Sequence, residues 1–218
     1  MGQKVNPHVI RLGTVFSWSS RWFDERTYKD VVLEDYGLRT MLMGRLRSAG
    51  IASVEIERSI NSLKIIIHVS RPGIVIGRGG TGLEELKKAI MALFAKTRGT
   101  KAMPKMDIRV EPVKEPNLNA QLVAVNIADQ LVRRLPFKRI LNSTAERVMS
   151  SGALGVKIML TGRIGGAEIG RREKIRLGTV PVSTIRENIS YAQVPALTKK
   201  GYIGIKVWIN RPEGKEII

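Results

Sequence analysis

The chain has 218 residues, and its 37 Lys and Arg against 19 Asp and Glu leave a formal net charge of +18, a field that selects nucleic acid over acidic proteins or anionic membranes. With 43% hydrophobic residues and a mean hydropathy of −0.06 it can still bury real cores, which excludes a wholly disordered basic tail. No cysteine and only two histidines exclude disulfide scaffolds, zinc fingers and thiol nucleophiles. No stretch approaches the ~20 apolar residues of a membrane span, and the opening MGQKVNPHVIRLG has no apolar signal core. The expectation is a soluble cytoplasmic protein of one or two domains, with no cofactor, no metal and no membrane partner.

Residues 1–34 read as a basic arm. Leu38, Met41, Leu42, Leu46 and Ala49 then recur at helical spacing up to Gly50, which predicts a helix over about 35–49. Val54 to Glu57 alternate strictly, and after a turn at Asn61-Ser62 so do Leu63, Ile65, Ile67 and Val69, which predicts a hairpin. Gly73 to Ile76 is too short for a core strand. After Gly77-Arg78-Gly79-Gly80 a helix starts, with Leu83, Leu86, Ile90, Leu93 and Phe94 on one face and Thr81 and Glu84 at capping-box spacing. A strand from Met106 to Val110 closes an α-β-β-α-α-β unit over 35–111. Residues 112–116, with Pro112 and Pro116, form a linker.

The second domain spans 117–211, before a short tail at 212–218. Leu118, Leu122, Val125, Ala128 and Leu131 share one helix face, and Phe137, Ile140, Leu141, Thr144 and Val148 another. Val156, Ile158 and Leu160 alternate as a strand, and further strands are expected around 172–180, 185–192 and 202–209. The expected class is α+β, with helices on one side of a mainly antiparallel sheet.

Gly77, Gly79 and Gly82 match a dinucleotide-binding fingerprint, yet Pro72 interrupts the strand that such a motif needs, and no Lys-Ser or Lys-Thr completes a P-loop. Gly77-x-x-Gly80 fits better as the GxxG loop with which KH domains clamp nucleotides by their backbone. Glycines admit phosphate without a Cβ in the way, the amides lie at a helix N-terminus, and Arg78 adds a charge. The bland alternative is a tight corner needing glycine for its turn alone.

Four separated runs carry a resemblance over nearly the whole chain: MGQKVNP with Arg11-Leu12-Gly13, Arg71 to Gly77 followed by GRGG, Gly162 to Ile169, and Gly204 to Ile209. Together they resemble the family of bacterial protein three of the small ribosomal subunit. The resemblance implies a type II KH domain followed by a family-specific C-terminal α+β domain. It further implies a place in the head of the small subunit, binding of its rRNA, a wall of the path by which mRNA enters, and neighbours among the head proteins, proteins ten and fourteen. Members commonly carry two basic residues inside GxxG, whereas here the second is Gly79, and some have a long basic tail that is missing after Trp208.

Between Arg133 and Arg176 lie eleven basic residues and three acids, Glu146, Glu168 and Glu173. Lys138, Arg139 and Asn142 form a polar strip beside the apolar face of the second helix. By resemblance this strip, with Arg134, faces incoming mRNA and is basic at three positions in the family, so Asn142 is a departure. The implied rRNA contacts are Gln3, Lys4, Asn6, Pro7 and Arg11 in the arm and Arg163, Arg171, Arg172, Lys174 and Arg176 in the glycine-flanked basic run, where Arg presents a planar fork to phosphate. His8, in the arm, and His68 are assigned no role, and Trp18, Trp22 and Trp208 read as packing residues, though the first two have the means to stack on a base. The competing class is a nuclease or a lyase on damaged DNA. It lacks a recognisable constellation among the acids of the C-terminal half, and no small-molecule substrate is expected.

Overall fold

The structure is a computed structural model that describes residues 4–59, 61–98 and 105–212. The chain divides into two units, one of residues 18–114, the other of residues through Ser17 together with those from Glu115 onward. The stretch 1–34 expected as one arm is therefore shared between them.

In the unit of residues 18–114, the elements are β1 (Ser20–Arg21), α1 (Tyr28–Arg45), β2 (Ile51–Arg58), β3 (Ser62–Val69), α2 (Pro72–Ile76), α3 (Thr81–Arg98) and β4 (Lys105–Pro112). The sheet order is β1-β2-β3-β4, with β2 and β3 antiparallel and the outer pairs parallel. The alternation read in β3 holds, since Leu63, Ile65, Ile67 and Val69 are buried against Leu38, Leu42, Leu86, Ile90 and Phe94 of the helices. The α1 helix starts at Tyr28, where apolar spacing placed its start near 35. Its early turns bury acids: Arg58 donates to Glu34 Oε2 and Asp35 Oδ1, each at 2.8 Å. Ser20 Oγ and Trp22 Nε1 donate to Asp35 Oδ2, each at 2.9 Å, so Asp35 ties β1 to α1. A helix face that buries paired carboxylates has no apolar stripe to betray it. His68 is fully enclosed, with Glu55 and Glu111 3.4 and 3.7 Å from its ring nitrogens.

The other unit contains α4 (Ala120–Val132), α5 (Phe137–Ser150), β5 (Gly155–Gly162), β6 (Arg171–Gly178), β7 (Ile189–Thr198) and β8 (Gly201–Asn210). Asn119 caps α4, its Oδ1 accepting from the amides of Gln121 and Leu122 at 3.0 and 3.3 Å. The sheet order is β6-β5-β8-β7 and every pairing is antiparallel. Both helices lie on one face, over Val156, Ile158, Leu160, Ile203, Ile205, Val207 and Ile209. The third strand was expected at 185–192 and lies at 189–198. Pro195, which argues against a central strand, is accommodated because β7 is an edge.

Residues 181–188 stay out of the sheet because they wrap a buried cation. Arg11 is fully enclosed and donates to five backbone carbonyls, those of Glu187 (2.8 Å), Pro7 (2.9 Å), Val182 (2.9 Å), Thr184 (2.6 Å) and Pro181 (3.4 Å). Arg211, also buried, donates to Leu118 O at 2.8 Å and Ser190 Oγ at 3.2 Å. Burial lowers its pKa from the usual value to about 10, against the pull of Glu115.

Candidate nucleic-acid interface

The GxxG segment joins α2 to α3 as one tight turn, Arg78–Gly80, with positive φ at Gly77 (71°), Gly79 (63°) and Gly80 (83°). The glycines serve different ends. A Cβ on Gly77 would lie 2.9 Å from the Gly82 amide, and one on Gly82 would lie 2.4 Å from the Val75 carbonyl, so this pair lets the two helices touch. Gly79 faces open space and supplies only its left-handed backbone. Arg78 and Gly79 are exposed in front of the α3 N-terminus, and the Thr81 hydroxyl donates to the Arg78 carbonyl at 3.0 Å, a use that capping-box spacing did not anticipate. Backbone amides, a helix dipole and one guanidinium thus face solvent together.

On α5, Ile140, Leu141, Thr144, Ala145 and Val148 face inward, and this puts Lys138, Arg139 and Asn142 in solvent as the spacing predicted. Among the described residues, no ion pair involves Lys138 or Arg139. Arg134 is exposed at the α4 to α5 corner with φ of 61°, where its amide bonds the Leu131 carbonyl at 3.0 Å. It occupies the left-handed position after a helix that glycine usually takes. Arg134 and Arg163 line one cleft of about 430 Å³ with Leu135, Phe137, Lys199 and Lys200. Arg163 is also a strut, donating to Ala167 O at 2.9 Å.

The basic run 171–176 does not act as one strip. Because β6 alternates, Ile175 and Leu177 pack toward the helices, and Arg171 shares that side, 5.4 Å from the Phe137 ring and 3.6 Å from Glu173. Arg172, Lys174 and Arg176 are exposed on the other face.

The arm requires correction. Arg11 and Pro7 are buried, so the first is a structural cation rather than an RNA contact, and the second offers RNA little surface. Lys4 and Asn6 are exposed, with Asn6 Oδ1 accepting from the His8 amide at 2.9 Å; Gln3 lies outside the described residues. His8 is not in a loose arm: Nε2 accepts from the Tyr191 amide at 2.9 Å, and its ring lies 4.7 Å from that of Phe16. Burial, helped by Arg211 and Arg11, lowers its pKa from 6.5 to about 4.

Sequence reasoning missed Lys157 and Lys206, which strand alternation alone would have placed beside Lys174. It also missed Lys199 and Lys200. Lys157 sits 5.0 Å over the Trp208 ring, its pKa lowered by burial and by the like charges of Lys4, Arg176 and Lys174. Among the described residues no helix is long and apolar enough to cross a membrane, and no group of three or more acidic or histidine side chains is placed to hold a metal ion.

Comparison with known proteins matches the two parts of the chain separately. Residues 38–118 match the family described as "KH domain", and residues 127–209 match "Ribosomal protein S3, C-terminal domain". Among similar curated proteins, the small ribosomal subunit protein uS3 of Lachnoclostridium phytofermentans is 44% identical over 98% of this chain and 94% of its own length. The proteins of the same name from Clostridioides difficile and Lactobacillus helveticus are 45% and 42% identical over 96% and 98% of the chain, covering 75% and 92% of theirs. The nuclease or lyase alternative finds no counterpart in these names. At this identity over nearly its full length, the chain belongs to the uS3 family of small ribosomal subunit proteins.

Proposed function

We propose that the chain binds rRNA in the head of the small ribosomal subunit, next to proteins ten and fourteen, and lines the path by which mRNA enters. In this reading Gly77, Arg78, Gly79 and Gly80 hold single-stranded RNA by its backbone. Arg163, Arg172, Lys174, Arg176, Lys4 and Asn6 grip rRNA. Arg134, Lys138, Arg139 and Asn142 face the message. The observation that carries the proposal is the exposed Lys138 and Arg139 pair on one helix face, joined in no ion pair among the described residues of a chain with a +18 charge.

Cations that grip phosphates of a strand bias thermal opening of a hairpin toward the single-stranded state, and this needs no nucleotide hydrolysis. Each exposed charge-assisted contact is worth about 1 kcal/mol in a screened groove, so the pair shifts opening by tens of fold at most. Replacing Lys138 and Arg139 with Ala slows translation of structured messages and leaves unstructured ones near normal, while Asn142→Lys speeds the structured case. Equal slowing on both message types would assign the pair to general RNA anchoring and overturn its role with the message.

A further inference from the structure

The β5–β8 sheet has one face under α4 and α5, and among the described residues neither of these helices covers the other face, which carries a charge pattern of its own. Register aligns Arg176, Lys157, Trp208 and Tyr191 in one row across the four strands, and Lys174, Met159, Lys206 and Gln193 in the next. Arg172 stands one step further along β6, beside Thr161. The only acid in these four strands is Glu173, and alternation turns it toward the helices with Arg171. Lys4, Asn6 and Pro7 edge the same face and complete a concavity of about 890 Å³ with Lys157, Lys206, Tyr191 and Trp208.

We propose that this open sheet face is an RNA-binding surface in its own right, taking the phosphate backbone of rRNA across Arg172, Lys174, Arg176, Lys157 and Lys206. The proposal rests on the rRNA-binding function above and gives it a site that the basic run alone does not define. Same-face residues recur every ~6.7 Å along a strand, with strands ~4.8 Å apart. Five cations therefore occupy a patch of roughly 14 by 10 Å with no carboxylate of the sheet among them, and like charges held that close call for an anion from outside. A polyanion with one charge per repeat fits such a lattice. The ligand is backbone rather than stacked base, because Lys157 covers the Trp208 ring and Trp208 is only 8% exposed. Tyr191 lies 5.3 Å from that ring and turns its hydroxyl to Gln193 at 3.2 Å.

The test compares two full-length variants that lose the same charge, Lys174→Ala with Lys206→Ala on the sheet face, and Lys138→Ala with Arg139→Ala on α5. Each is titrated against protein-free small-subunit rRNA over a range of salt concentrations. At about 0.7 to 0.9 of slope per phosphate contact, the sheet variant loses about 1.4 to 1.8 from the slope of log K against log salt, and the helix variant loses less than half of that. Equal losses would reduce the effect to net charge and overturn the proposal, as would an unchanged slope in the sheet variant. In both of those cases a steep wild-type slope leaves the function above standing, whereas a flat wild-type slope overturns function and site together. A photo-crosslinker at Gln193 in assembled subunits identifies the occupant: an rRNA adduct supports the site, and an adduct with protein alone or with the chain's own tail overturns it.

Discussion

Arg11 donates from Nη2 to the Thr184 carbonyl at 2.6 Å, a bond between a residue of the N-terminal segment and one far along the chain. It is the shortest of five, four of which turn one guanidinium into the hub of the loop before β7.

Arg11→Met leaves those carbonyls without their donor. Charge-assisted bonds contribute about 1.5 to 3 kcal/mol each, and bonds sharing one group do not add, so the expected loss is about 3 kcal/mol. Chemical denaturation measures it. Arg11→Lys recovers part of the loss, because an ammonium has three donors and no planar fork. A neutral Arg11→Met variant would show that the loop holds without its cation.

His8 predicts a pH dependence. Its pKa falls from 6.5 to about 4 on folding, so below pH 6.5 the unfolded chain takes up a proton that the folded chain refuses. Stability conferred by the neutral ring is complete above pH 6.5 and is lost progressively as pH falls toward 4, by about 3 kcal/mol in all. The melting temperature of the wild type should fall between pH 6.5 and 5, before carboxylates titrate. His8→Gln, which keeps an acceptor for the Tyr191 amide, should flatten that decline; an equal decline in both proteins would assign it elsewhere.

The glycines of the KH loop separate by the same logic. A methyl on Gly82 has no room beside the Val75 carbonyl, so Gly82→Ala should cost about 3 kcal/mol or more and spread α2 from α3. Gly79→Ala meets no atom and carries only the left-handed backbone penalty of about 1 kcal/mol. Thermal unfolding of the two variants distinguishes them, and equal losses would refute the close-contact account.

Much of this architecture was legible because strands with one buried face alternate and helices on a sheet carry apolar stripes. The residues that stayed hidden are those whose burial contradicts their chemistry. Glu34 and Asp35 look like surface acids, and only the arrival of Arg58 from β2 makes them interior. Arg11 in a basic arm looks like an RNA contact, since nothing local announces four carbonyls from a distant loop. By contrast, the division of Arg171 from Arg172 was available from strand periodicity and was obscured by reading the run as a block of charge. The left-handed backbone of Arg134 stayed hidden because that position after a helix is usually marked by glycine, and an arginine there does not announce it.

That backbone has a consequence for stability. Glycine at position 134 removes the left-handed penalty, so Arg134→Gly should raise stability by up to about 1 kcal/mol while weakening RNA binding through the lost charge. Calorimetry and an RNA titration on the same preparation test both halves. A variant that is less stable would show the Arg134 side chain to be a structural contact.

The central claim, that this chain is an RNA-held component of the small ribosomal subunit, is tested most directly by sedimentation of a lysate containing the tagged chain. Most of the chain should migrate with small subunits at low salt and be released steeply as salt rises. A chain that stays at the top of the gradient at every salt concentration would contradict it.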